Sequence, residues 1–217
     1  MTKPICSNEY GRTDRIVVIA SSTGGPGALT FLLQQLPENY RLPILIVQHM
    51  PEGFTATLAK RLDELSLVKV KEAEPGEEVL PGTVYIAKAG FHMRVVTSKG
   101  EDSNGTDSLT HRIMLSDEAI REGVKPSANY TFESLADSGY DEVVCIVLTG
   151  MGTDGTEGIL NLSEYKAIRI WLQEKESCVV YGMPGSIAKS GVKHTSLSLS
   201  EIADEMIKLQ GVREYGC

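Results

Sequence analysis

The chain has little cysteine: four in 217 residues, Cys6, Cys145, Cys178 and Cys217, with no two at a metal-ligand spacing such as C-x-x-C. That leaves no cysteine-built metal site, and a reducing cytoplasm is the expected setting. Cys145, inside the apolar run 143–148, and Cys178, ahead of Val179-Val180, read as small core residues. No apolar stretch approaches the roughly 18 residues of a membrane span. Residues 1–14 are polar and lack the apolar region of a signal peptide, so no membrane insertion is expected. Positive charge is also short. Lys and Arg total 21 against 29 Asp and Glu, a formal net charge of −8. Nucleic acid is therefore excluded as a main partner, because phosphate binding needs clustered Lys and Arg. Internal repeats and low-complexity segments are absent.

What is present is ordinary for a soluble globular protein: 41% apolar and 23% charged residues. At this length folding buries roughly 70% of the unfolded surface, so the core needs no staples. Apolar runs of strand length recur at 15–20, 43–48, 83–87, 92–97, 112–115, 143–149 and 167–173. Several are continuous rather than alternating, as in strands covered on both faces. Helical patterns lie between them, at 26–36, 54–65, 129–138, 156–165, 184–190 and 200–209, the last with Ser200 as the expected N-cap. The alternation predicts an α/β fold with a doubly wound, mostly parallel sheet, helices on both faces and an antiparallel hairpin addition at one edge. The polar stretch 98–109 reads as a loop. Residues 1–14 read as a linker or disordered lead, 15–210 as one domain, and 211–217 as a tail.

In open α/β sheets, ligands bind beyond the carboxyl ends of the strands. Three such ends carry reactive groups. Strand 15–20 runs into Ser21-Ser22-Thr23-Gly24-Gly25, strand 43–48 into His49, and strand 143–148 into Thr149-Gly150-Met151-Gly152-Thr153-Asp154-Gly155. A serine hydroxyl needs a base to take its proton, histidine titrates near neutrality, and a carboxylate fixes the imidazole tautomer. Each group alone has a plainer reading: Ser22 and Asp154 as helix caps, His49 as a packed strand end. Together they make a candidate catalytic set of Ser22, His49 and Asp154. Ser21 is the rival nucleophile; the pattern Ala20-x-Ser22-x-Gly24 approximates the Gly-x-Ser-x-Gly elbow and selects Ser22. A dinucleotide loop at Gly24–Gly27 fits poorly, lacking G-x-G-x-x-G spacing. His92, His111 and His194 do not cluster with carboxylates at metal spacing, and the acidic stretch 72–78 reads as a solvated loop. No metal and no cofactor is expected.

These motifs carry a resemblance. Ile19-Ala20-Ser21-Ser22-Thr23-Gly24-Gly25, Gln48-His49-Met50-Pro51, Pro81-Gly82-Thr83-Val84-Tyr85-Ile86-Ala87 with His92-Met93, Leu148–Gly155, and Ser177–Pro184 occur in one order. The chain resembles the catalytic domain of the chemotaxis receptor methylesterase, protein-glutamate methylesterase. The resemblance implies Ser22 as nucleophile, His49 as base and Asp154 as its partner. It also implies an oxyanion contact from the Met151 N–H and a supporting role for Thr23. It implies hydrolysis of glutamate γ-methyl esters on the cytoplasmic helices of methyl-accepting chemoreceptors, with release of methanol, and deamidation of glutamines in many members. Full-length members carry a receiver domain; with about 14 residues before the first strand, the chain is expected to be either a stand-alone enzyme or an excised domain without its own receiver domain, and a separate receiver-domain protein is the candidate regulator. Two departures stand out. Ala20 replaces a glycine, which is expected to reshape the elbow. Lys125-Pro126-Ser127-Ala128-Asn129 replaces an Arg-Pro-Ser-x-Asp segment, which bears on substrate preference. The rival readings are the same three groups acting on another protein or small ester, and a regulatory module without catalysis.

Overall fold

A computed structural model describes residues 14–101 and 107–210. The expected lead, apart from Asp14, and the expected tail lie outside the described residues. The chain runs β1 (Arg15–Ser21), α1 (Gly25–Gln35), β2 (Ile44–Gln48), α2 (Phe54–Leu65), β3 (Lys69–Glu72), β4 (Thr83–Ile86), β5 (His92–Glu101), β6 (Asp107–Ser116), α3 (Ala128–Ser134), β7 (Glu142–Val147), α4 (Thr156–Tyr165), β8 (Ala167–Gln173), α5 (Met183–Lys189), β9 (Thr195–Leu197) and α6 (Leu199–Leu209).

Seven strands make one parallel sheet in the order β3-β4-β2-β1-β7-β8-β9. Alternate residues of β1 enter two separate cores. Ile16, Val18 and Ala20 pack with α3, α4 and α5, while Val17 and Ile19 pack with α1, α2 and α6. That double burial explains the unbroken apolar runs. Helix α1 buries Leu29, Leu32 and Leu33 on one stripe. Each contributes about 1.5–3 kcal/mol, which outweighs the roughly 1 kcal/mol that Gly27 costs inside a helix.

The chain leaves β1 for β2 on one side and later returns to β7 on the other, so the strand order reverses at β1. Helices α1 and α4, which follow β1 and β7, cover opposite faces of the sheet. A crevice opens at such a reversal, outside the strand ends. Ser22, His49 and Asp154 all follow the three strands that flank it.

The fold class reads from the sequence as observed, with local differences. The antiparallel hairpin β5–β6 forms its own two-stranded sheet. It meets the main body through the 76–79 loop, where Gly76 and Val79 donate to Ile113 O and His111 O. So part of the acidic stretch 72–78 is a ladder partner rather than a free loop, and Glu72 belongs to β3. The expected loop 98–109 is largely strand: Ser98 pairs with Thr110 and Glu101 with Asp107. Its polarity reflects a ribbon that extends beyond the core. Strands β3 and β9 were not expected; at four and three residues they are too short to show a pattern. The N-cap of α6 is Ser198 rather than Ser200, because Glu201 closes a capping box with Ser198. Cys145 is core as expected, and burial pushes its thiol pKa up. Cys178 is only half-buried. Among the described residues, no helix is long and apolar enough to cross a membrane.

Candidate active site

The same device opens α1, α2 and α4, the helices that follow β1, β2 and β7. A four-residue turn closes with an N–H to C=O bond, Gly25 to Ser22, Phe54 to Pro51 and Thr156 to Thr153. In each turn the third residue is a glycine at positive φ, Gly24 (86°), Gly53 (85°) and Gly155 (94°), and it is the N-cap of the next helix. Only glycine enters that region without steric cost. At Gly24 a Cβ would also lie 2.7 Å from Val179 Cγ2. Ser22 and Asp154 lie within the first and third of these turns, and His49 lies two residues before the second, directly after β2.

Backbone pairing continues past the strands and locks these groups together. His49 N–H donates to Ser21 O at 3.0 Å, and Ser22 N–H to Thr149 O at 3.1 Å. Gly150 lies directly against the serine: a Cβ there would sit 2.9 Å from Ser22 Cβ and 2.4 Å from Met183 Sδ.

His49 Nε2 lies 2.7 Å from Asp154 Oδ2. The imidazole is nearly buried, with 8% side-chain exposure, and its other nitrogen, Nδ1, has no protein partner among the described residues. A carboxylate accepts only, so Nε2 carries the proton and Nδ1 offers a lone pair. Asp154 is buried and fully partnered. Its Oδ1 accepts from Ser127 Oγ (2.5 Å) and Asn129 N–H (3.2 Å), and its Oδ2 from Ala128 N–H (2.6 Å). Burial alone would raise its pKa. The hydrogen bonds from His49, Ser127 and Ala128 outweigh that and hold it below the ordinary carboxylate value.

Ser21 and Ser22 separate cleanly. Ser21 is fully buried and donates to Gln48 Oε1 at 2.7 Å. Gln48 Nε2 in turn donates to the carbonyls of both Ser22 and His49, at 3.0 Å each. One buried amide therefore ties the serine's backbone to the histidine's. Ser22, next along the chain, is partly exposed. Ala20 sits inside β1, paired with Val47 and Val147, and the one described non-glycine residue with positive φ is Glu122. Position 20 is thus ordinary strand backbone and needs no glycine freedom.

Of the two supporting residues, Met151 is exposed at 73%. The Gly150 carbonyl accepts from Gly182 and Met183 N–H groups. In a trans peptide the N–H points opposite the C=O. The Met151 N–H therefore faces away from α5, and it donates to nothing among the described residues. Thr23 is exposed, with its carbonyl held by Thr149 Oγ at 2.9 Å.

The Lys125–Asn129 departures take on structural roles. Lys125 Nζ pairs with Asp117 at 2.5 Å. The Asn129 side-chain oxygen accepts from Gly155 and Gly158 N–H, at 3.0 and 2.7 Å, pinning the start of α4. Ser127, Gln48 and Asn129 act inside the site, and the residue pattern did not single them out for it. No metal-binding group of three or more His, Cys, Asp or Glu residues occurs among the described residues.

The arrangement brings a serine hydroxyl, an imidazole and a buried carboxylate to the carboxyl ends of three adjacent strands, the groups that serine-based acyl transfer uses. Comparison with known proteins identifies the family. The CheB methylesterase family model matches residues 17–206. A protein-glutamate methylesterase/protein-glutamine glutaminase of Desulfotalea psychrophila is 45% identical over 192 residues, 88% of this chain and 50% of that protein. Its counterpart in Colwellia psychrerythraea is 41% identical over 198 residues, 91% of this chain and again 50% of that protein. The chain thus spans about half the length of the curated relatives it matches. The crystal structure of the Thermotoga maritima CheB methylesterase catalytic domain superposes with a TM-score of 0.80 at 40% identity, covering 89% of this chain and 97% of that one. The chain belongs to the CheB methylesterase family.

Proposed function

We propose that this protein is a serine hydrolase that removes methyl groups from glutamate γ-methyl esters on the cytoplasmic helices of methyl-accepting chemoreceptors. The observation that carries the reading is the His49 imidazole, with Nε2 held by Asp154 and Nδ1 buried without a protein partner among the described residues, on a strand end that the His49 N–H to Ser21 O bond ties to the one bearing Ser22. Family membership supports the choice of ester.

Ser22 Oγ attacks the ester carbonyl as its proton passes to His49 Nδ1. Asp154 keeps the resulting imidazolium oriented and charge-compensated. The carbonyl oxygen becomes an oxyanion, for which the free Met151 N–H is the available donor. Collapse breaks the C–OCH3 bond, and methanol leaves with the proton from His49. Water then attacks the acyl-serine as His49 takes one of its protons and passes it to Ser22 Oγ, and the glutamic acid released ionises to carboxylate by giving its remaining proton to solvent. With a glutamine side chain the leaving group is ammonia. That second reading rests on the relatives, which are named glutaminases as well as methylesterases. The test is methanol release from a methylated receptor. The intact chain should release it and the Ser22→Ala variant should not; equal release by both would reject the assignment.

A further inference from the structure

We propose that His92 is a positioning residue for Asp154: as a neutral imidazole protonated on Nε2, it holds the Ser127 backbone that presents the carboxylate to His49. The proposal rests on the reading of Ser22, His49 and Asp154 given above.

His92 opens β5 and is fully buried. Both ring nitrogens are committed. Ser127 N–H lies 3.1 Å from Nδ1, and Nε2 lies 3.0 Å from Ala119 O. An amide N–H only donates and a carbonyl only accepts, so the partners dictate the tautomer: Nδ1 bare, Nε2 protonated. The bond to Ser127 matters because Ser127 Oγ and the next two backbone N–H groups are three of the four donors to Asp154. His92 thus fixes the segment that grips the carboxylate, and the carboxylate fixes His49.

The arrangement fails if His92 gains a proton. An Nδ1–H would face the Ser127 N–H, two donors with no acceptor between them, and the segment would have to move. Several groups bear on that proton. Lys125 opposes it, Glu118 and Asp154 favour it, and the Tyr130 ring packs 4.3 Å away with the Arg94 and Arg121 guanidiniums over it. Burial is the largest influence and pushes the His92 pKa below the ordinary histidine value, against the opposing bond to Ala119. The neutral form is therefore kept at neutral pH and lost on acidification.

The test compares two substitutions in the full chain. His92→Asn places an acceptor where Nδ1 was and keeps the Ser127 bond. His92→Gln reaches the Ala119 end and leaves the Ser127 N–H unmet. Ser22 labelling by a fluorophosphonate reads nucleophilicity without a receptor, and NMR of ¹⁵N-histidine reads the His49 Nε2–H. His92→Gln should label about tenfold more slowly and shift the His49 resonance, while His92→Asn retains both; a 1 Å misplacement costs up to about 10²-fold. On acidification the wild-type labelling rate should fall with two protons and that of His92→Asn with one. Equal labelling by the two variants, or a one-proton fall in wild type, would overturn the proposal. If neither variant folds, wild type alone decides, since protonation of His92 must move the His49 Nε2–H resonance. If wild-type Ser22 does not label at all, the hydrolase reading fails, and the His49 resonance still decides whether His92 positions Asp154.

Discussion

His49 and Asp154 meet through Nε2 and Oδ2 at 2.7 Å, which leaves Nδ1 buried and without a protein partner among the described residues. His49 follows β2 and Asp154 follows β7, on either side of β1, and in the proposed reaction Nδ1 is the nitrogen left to take the Ser22 proton.

Ser22 and Ser21 should behave in opposite ways. Replacing Ser22 by Ala removes the nucleophile and should lower turnover by about 10⁶-fold, as in other hydrolases of this design. Replacing Ser21 by Ala leaves Gln48 Oε1 without its donor. That should cost about 1–3 kcal/mol of stability while most of the turnover remains. Methanol release and urea midpoints, measured on both variants, check the contrast. A dead Ser21→Ala variant beside an active Ser22→Ala would invert the assignment.

Asp154→Asn should keep the volume and lose the function. Its NH₂ must point either at His49 and Ala128 or at Ser127 and Asn129, donors in both cases. If it faces His49, the imidazole is driven to the other tautomer and Nδ1 stops being a base. The expected loss is about 10⁴-fold in kcat, the scale seen when a triad carboxylate becomes an amide. Steady-state kinetics on a folded variant decide it; a loss under tenfold would show that the carboxylate is dispensable.

The mostly parallel α/β class and the strand ends bearing Ser22, His49 and Asp154 are legible because each rests on a local pattern. Continuous Val and Ile runs mark doubly buried strands, and Ser22, His49 and Asp154 each stand just past one. What supports them was not legible, because it depends on tertiary contacts. Gln48 looks like the last residue of a strand until its side chain is seen to clamp the Ser22 and His49 carbonyls. Ser127 and Asn129 come from α3 and its cap, and nothing in their spacing points to Asp154 or α4. The place of Ala20 depends on the same kind of contact: an elbow motif centres the turn on the serine, whereas β1 extends through Ser21 and the turn begins at Ser22.

The folded pKa of Asp154 lies below its ordinary value near 3.8. The unfolded chain therefore binds more protons in that window, and stability rises with pH there. The contribution is fully present above the unfolded pKa and is lost as pH falls through the folded one. Thermal melts on the acid side of neutrality should show wild type losing stability more steeply than Asp154→Asn below about pH 4. Parallel curves would mean that the carboxylate gains nothing from its four donors.

Two glycines of α1 give the sharpest check on the Gln48 clamp. At Gly25 a Cβ would lie 2.0 Å from Gln48 Oε1 and 2.9 Å from Ser21 Cβ, whereas at Gly27 it would meet nothing within 4 Å. Gly27→Ala should therefore stabilise the helix by up to about 1 kcal/mol, through propensity alone. Gly25→Ala must push the amide out of place and release the Ser22 and His49 carbonyls from their shared donor. It should cost about 1–3 kcal/mol in overpacking and slow Ser22 labelling by roughly tenfold or more, although it touches none of the three reactive side chains. A mere loss of fold stability would leave labelling of the folded fraction unchanged. The clamp therefore stands or falls on labelling rates measured well below the melting transition, with Gly27→Ala as the matched control.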